Sequence, residues 1–192
     1  MDRKTVVIVS GLPRSGTSMM MKMLEAGGLD VLTDRLREAD EDNPKGYYEF
    51  ERVKKLEQDK SWLRKAEGKV VKVISQLLQH LPPDYAYQVV FMRRRMEEIL
   101  ASQERMLVRS GEDSDKIPDE KLATLFQQHL KRVKAWLDEE PRFDVLYVSY
   151  NGMLKNPLEG ARRIDTFLAQ DLDVDAMAAV VDPELYRQRT EA

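Results

Sequence analysis

The chain has 192 residues, no cysteine, and a net charge of −3 from 31 basic and 34 acidic side chains. That length suits a single domain over residues 1–192 with a substantial core. The missing cysteines exclude disulfides, thiolate nucleophiles and Cys-based zinc sites, and the mixed charge gives no basis for nucleic-acid or membrane-surface binding.

The one markedly apolar run near the start, residues 6–9, is too short for a signal-peptide core or a membrane span, so the expectation is a soluble, cytoplasmic protein. Residues 5–10 (TVVIVS) are largely β-branched and predict a buried strand ended by Gly11. Residues 16–26 follow as a helix stopped by Gly27 and Gly28, with Met19, Met20, Met21 and Met23 as flexible core filler. Residues 40–46 are turn-rich, 47–59 read as a helix, and 69–74 as a second strand. Pro82 and Pro83 break the chain before a third strand, 87–92, and residues 95–108 read as a helix. Residues 109–120 are polar and read as a loop or lid, mostly acidic, which disfavours a strongly anionic partner. An amphipathic helix over 122–137, a fourth strand over 143–149, and helices near 157–169 and 174–181 complete the chain. The alternation predicts an α/β fold of P-loop type, a central, mainly parallel sheet of four or five strands flanked by helices. Ligands of such sheets bind beyond the carboxyl ends of the strands.

The first strand runs into GLPRSGTS, residues 11–18. Gly11 and Gly16 have the spacing of a nucleotide triphosphate loop, but Thr17 stands where that loop carries its lysine. Glycines let backbone approach an anion, N–H groups at a helix start point at it, and Arg14, Thr17 and Ser18 add donors. The site therefore suits phosphate or sulfate without ordinary ATP hydrolysis. The third strand runs into RRR, residues 93–95, with Ser102 eight residues beyond Arg94. By composition alone these arginines form a solvated basic cluster beside Glu97 and Glu98.

Pro13, Arg14, Ser15, Gly16, Thr17 and Ser18 resemble the P-[KR]-S-G-T-[TS] loop of sulfotransferases that use PAPS, the activated sulfate donor. The resemblance implies that these six residues bind the donor's 5′-phosphate side, and that Arg94 and Ser102, with Arg93 as the alternative to Arg94, bind its 3′-phosphate. Residues 69–83 are similar to the family segment K-T-H with following leucines and prolines. Lys72 matches its lysine, which implies contact with the transferring sulfuryl, whereas the family histidine falls at Ile74. Residues 144–168 resemble a later family segment, which implies that Tyr150 lies by the adenine, with Asn151 in place of the usual acid. Some relatives use a glutamate as base after the first loop and helix, which points to Glu49, with Glu51 behind it. The donor-binding segment at the family's C-terminus is not visible, and Arg187 and Arg189 are its only stand-ins. The resemblance is greatest to small bacterial sulfotransferase-like proteins. It implies transfer from PAPS to a small-molecule, lipid, carbohydrate or peptide acceptor, releasing PAP, with Arg14, Glu49 and Lys72 catalytic and no metal. The alternatives are a phosphotransferase using ATP and magnesium, and a module that binds PAP or a related nucleotide without turnover. His80 and His129 are expected to be structural.

Overall fold

The computed structural model describes residues 4–34, 48–110 and 117–182. Among these, four strands form one parallel sheet in the order β2-β1-β3-β4: β1 (Lys4–Gly11), β2 (Val70–Lys72), β3 (Tyr85–Arg93) and β4 (Phe143–Ser149). Six helices accompany them: α1 (Thr17–Ala26), α2 (Met96–Ser110), α3 (Asp119–Glu139), α4 (Tyr150–Lys155), α5 (Pro157–Leu168) and α6 (Val174–Ala179). The predicted α/β architecture is the observed one. None of the described helices is long and apolar enough to cross a membrane.

Alternation along the strands sorts side chains into two cores. Val7, Val9, Val90 and Met92 face one side, where Met20, Met21, Met23 and Leu24 of α1 meet Ala161 and Ile164 of α5 and Met177 of α6. The α1 methionines are core filler, with Met20, Met21 and Met23 at 0% exposure. Val6, Ile8, Val71, Val73, Val89 and Phe91 face the other side, against Trp62, Leu63, Leu78 and Leu137.

Several elements differ from expectation. Of the helix expected over 47–59, the described residues 48–59 do not form an α-helix: a 3-10 helix covers Glu51–Lys55. Two more 3-10 helices, Ser61–Lys65 and Ser75–His80, flank a second strand shortened to Val70–Lys72. Helix α2 continues to Ser110 and α3 begins at Asp119, so the expected loop is shorter than 109–120, and its residues 111–116 lie outside the described residues. The turn at 40–46 and the stand-ins Arg187 and Arg189 also lie outside them. Segment 30–32 runs beside β2, with Leu32 N–H donating to the Val70 carbonyl at 2.8 Å and Val70 N–H to that of Asp30 at 2.9 Å.

The strand order sets where a ligand fits. The chain leaves β1 toward β2 on one side and then crosses to β3 on the other. The carboxyl ends of β1 and β3 therefore flank a topological switch point. Register pairs Gly11 with Met92, which brings the loop after β1 beside the residues that follow β3.

Candidate functional site

The loop between β1 and α1 is a tight turn. Ser15 donates from its hydroxyl to the Leu12 carbonyl at 2.7 Å and from its N–H to the same oxygen at 3.2 Å. Ser15 is buried, so it shapes the loop from within, while Pro13 is exposed at its tip. Arg14 has φ +68°, a left-handed conformation that costs a non-glycine residue free energy. Gly11 and Gly16 also have positive φ. A Cβ on Gly11 would lie 2.6 Å from Ser15 Oγ and 2.7 Å from the Met92 carbonyl oxygen, and a Cβ on Gly16 would overlap the Tyr150 ring.

Helix α1 starts at Thr17, next to Ser18, with no side chain capping it and no acid in its first turn. Helices α2, α3, α5 and α6 all carry an acid there. The positive end of the α1 dipole is thus left uncompensated by a nearby carboxylate of its own, which suits an anion.

Arg14 turns its side chain to α2, donating from Nε to Ser102 Oγ at 2.9 Å. Arg94, one residue past β3, reaches back and donates from Nη1 to the Arg14 carbonyl at 3.1 Å. Strand alternation sends Arg93 the opposite way, exposed and on the Phe91 face, so Arg94 is the arginine at the loop. The Tyr150 ring lies against Gly16, with the Arg94 guanidinium 4.4 Å from its centroid. Burial pushes the Tyr150 hydroxyl pKa up, with Arg94 and Arg14 pulling it back. Arg14, Gly16, Arg94, Ser102 and Tyr150, spread over much of the sequence, therefore form one cluster.

Sequence reasoning missed one member. Glu98 is 0% exposed rather than solvated. Its Oε2 accepts from Arg94 Nε at 2.8 Å, and its Oε1 from Asn151 Nδ2 at 2.9 Å. The available signal was the four-residue spacing from Arg94, the spacing at which side chains meet along a helix, although Arg94 itself lies just before α2.

A second group forms at the end of β2. Lys72 pairs in register with Val9, and its side chain is 9% exposed. Its Nζ lies 3.7 Å from Glu49 Oε1. Lys54 Nζ lies 3.7 Å from Glu49 Oε2 and 2.6 Å from Glu51 Oε1. The Glu51 hydrogen bond raises the Lys54 pKa, burial opposes it, and the charges of Glu49 and Glu51 add to the rise. The Glu49 carbonyl accepts from Thr33 Oγ1 at 2.8 Å and from Asp34 N–H at 3.3 Å. Segment 30–34, fixed along β2, thereby carries Glu49 to Lys72.

His129 on α3 shares a hydrogen bond of 2.9 Å with Ser75 Oγ, and burial, then Arg132, lowers its pKa. It ties α3 to the 3-10 helix after β2. His80 pairs with Glu57 at 3.0 Å. Among the described residues no cluster of three His, Asp or Glu side chains is placed to hold a metal ion.

The family model described as "Sulfotransferase domain" matches residues 4–185. No curated protein matches the chain in sequence. Among solved structures, the sulfotransferase domain of the Synechococcus PCC 7002 olefin synthase is similar at 17% identity and a TM-score of 0.57, over 98% of this chain and 84% of its own. Mouse sulfotransferase SULT7A1, solved with PAP, is similar at 16% identity and a TM-score of 0.54, over 94% of this chain and 63% of its own. Retinol dehydratase, solved with androsterone and the inactive cofactor PAP, gives 16% identity and a TM-score of 0.52, over 96% of this chain and 65% of its own. The chain thus spans less than two thirds of the last two. At these identities the likenesses concern the fold.

Proposed function

The chain belongs to the sulfotransferase domain family, and from that premise we propose that it acts as one domain, moving a sulfuryl group from PAPS to a hydroxyl or amine of an acceptor and releasing PAP. The observation that carries the donor assignment is the contact of Arg14 with Ser102 and of Arg94 with the Arg14 backbone. It joins an anion-binding loop to a second cationic anchor in one crevice. ADP has a use for the first anchor only, whereas PAP, with a phosphate at each end of its ribose, has a use for both.

The residues present fit such a donor. Gly11 and Gly16 let the loop turn tightly against Met92 and Tyr150, and the α1 start offers N–H groups to a phosphate. PAPS, when bound, supplies the activated sulfuryl group. Glu49 takes the proton from the acceptor oxygen or nitrogen. Lys72 and Arg14 stabilise negative charge on the sulfuryl oxygens and the departing phosphate, the work a metal ion does elsewhere. Arg94 and Ser102 hold the 3′-phosphate, and Tyr150 closes the loop side of the nucleotide site. The acceptor is a small molecule, lipid, carbohydrate or peptide. PAPS as donor sets this reading apart from ATP-dependent phosphoryl transfer, for which the loop lacks the lysine at Thr17.

Thermal unfolding with PAP, ADP or ATP–magnesium tests the donor. A ligand at a hundredfold its Kd stabilises the fold by about 2.7 kcal/mol, which for a chain of this size raises Tm by roughly 5–10 °C. The expected result is that shift with PAP and little with ADP. A shift confined to ATP–magnesium overturns the proposal in favour of a phosphotransferase. PAP binding without turnover of PAPS, across a broad acceptor screen, favours a binding module.

A further inference from the structure

Resting on the PAP reading above, we infer that Glu98 and Asn151 are positioning residues that hold the Arg94 guanidinium for a 3′-phosphate, and thereby set the preference for PAP over ADP. An acid in the first turn of a helix ordinarily stays in water and answers the helix dipole. Glu98 does not: it is 0% exposed. A carboxylate is withdrawn from water at a large cost unless both its oxygens are engaged. Here Oε2 takes the Nε–H of Arg94 at 2.8 Å and Oε1 takes the amide of Asn151 at 2.9 Å.

The consequence falls on Arg94. Its Nε is fixed by Glu98, its Nη1 by the Arg14 carbonyl, and one face by the Tyr150 ring. A planar fork held at three places has one orientation, so little rotamer freedom remains to be lost when an anion binds. Glu98 offsets Arg94, and Arg14, bonded to Ser102, brings a second guanidinium to the same cluster. Asn151 suits this arrangement. It satisfies Oε1 as a neutral donor, whereas a carboxylate at 151 would set two like charges at hydrogen-bond distance.

Two effects of removing the Glu98 charge oppose each other. Attraction for any anion rises, and the orientation of Arg94 is lost. The positioning role requires the second to win for PAP. The test is calorimetric titration of wild type, Glu98→Gln and Asn151→Ala with PAP and with ADP. Glu98→Gln keeps the shape but gives up one acceptor oxygen and the charge. Its expected result is a PAP Kd raised about 10- to 100-fold, the worth of a charge-assisted hydrogen bond, with the ADP Kd within about twofold. Asn151→Ala leaves the Arg94–Glu98 pair in place, and its PAP Kd is expected to rise about 3- to 10-fold, again with ADP nearly unmoved. If Glu98→Gln does not fold, the PAP-to-ADP ratio of Asn151→Ala decides. Equal weakening of both nucleotides, no change in either, or tighter PAP binding overturns the inference. The last would mean that Glu98 merely offsets the Arg94 charge. A wild type that binds PAP no better than ADP overturns the donor reading first, and the positioning role with it.

Discussion

Glu49→Gln is expected to slow sulfuryl transfer by about 10²- to 10⁴-fold, the usual contribution of a positioned general base, while leaving the Kd of PAP within about twofold. Glutamine has nearly the same shape and keeps one acceptor oxygen, but it cannot take a proton. The Glu49 backbone is held by Thr33 and Asp34, which continue the segment running along β2, so the substitution leaves the support intact. The geometry also pairs the proposed base with a charge. Lys72 Nζ sits 3.7 Å from Glu49 Oε1 on a side chain that is nearly buried and fixed by the sheet. The proposed proton acceptor and the proposed stabiliser of sulfuryl charge thus stand together at the end of one strand. The measurement is PAP release from PAPS in single turnover, with an acceptor found by screening. A rate unchanged in Glu49→Gln moves the base elsewhere, and Glu51 is then the next residue to replace. Glu51 starts from a weaker position, because Lys54 occupies its carboxylate at 2.6 Å and its side chain is 43% exposed.

The sheet and the first loop were legible because their signals are local. A β-branched run ended by glycine, then P-R-S-G-T-S at a helix start, needs no knowledge of the rest of the chain. The 3-10 segments were not legible as such. Phe50, Val53 and Leu56 recur every three residues, a spacing shared by the 3-10 helix and one face of an α-helix. Val53 and Leu56 are buried and Phe50 packs on the same core, which the tighter helix allows over a short span. Helix α4 was hidden for a related reason: Tyr150 reads as the end of a strand, yet Ser149 caps a new helix by accepting from Gly152 N–H. Glu98 was misread because sequence shows an acid in a first turn and the dipole already explains one. Only the fold shows that α2 turns that acid inward, between Arg94 and Asn151. The Arg94–Ser102 spacing was legible, but its link was not. Arg14 lies between them, bonded through its side chain to one and through its carbonyl to the other, and that follows from the Gly11–Met92 register.

Gly16→Ala is expected to destabilise the fold by about 2–4 kcal/mol, a Tm lower by roughly 5–15 °C, and to abolish the PAP-dependent shift. Two costs combine at this position. The backbone has φ +98°, where an L side chain is strained, and the added Cβ would overlap the Tyr150 ring. Gly28 separates them. Its φ is +99°, but a Cβ there meets nothing within 4 Å. Gly28→Ala therefore carries the backbone strain alone, about 1 kcal/mol, and the difference between the two variants reports the clash. The ring cannot simply step aside, since Tyr150 is buried beneath Arg94. Moving it would shift the guanidinium and the loop together, which is why a single methyl group is expected to cost ligand binding as well as stability. Combining Gly16→Ala with Tyr150→Ala makes the argument decisive. If the ring is the obstacle, the double variant recovers part of the stability that the two single losses would sum to, a coupling of about 1–2 kcal/mol. Strict additivity would mean that the loop tolerates the methyl group and that Tyr150 does not brace the start of α1.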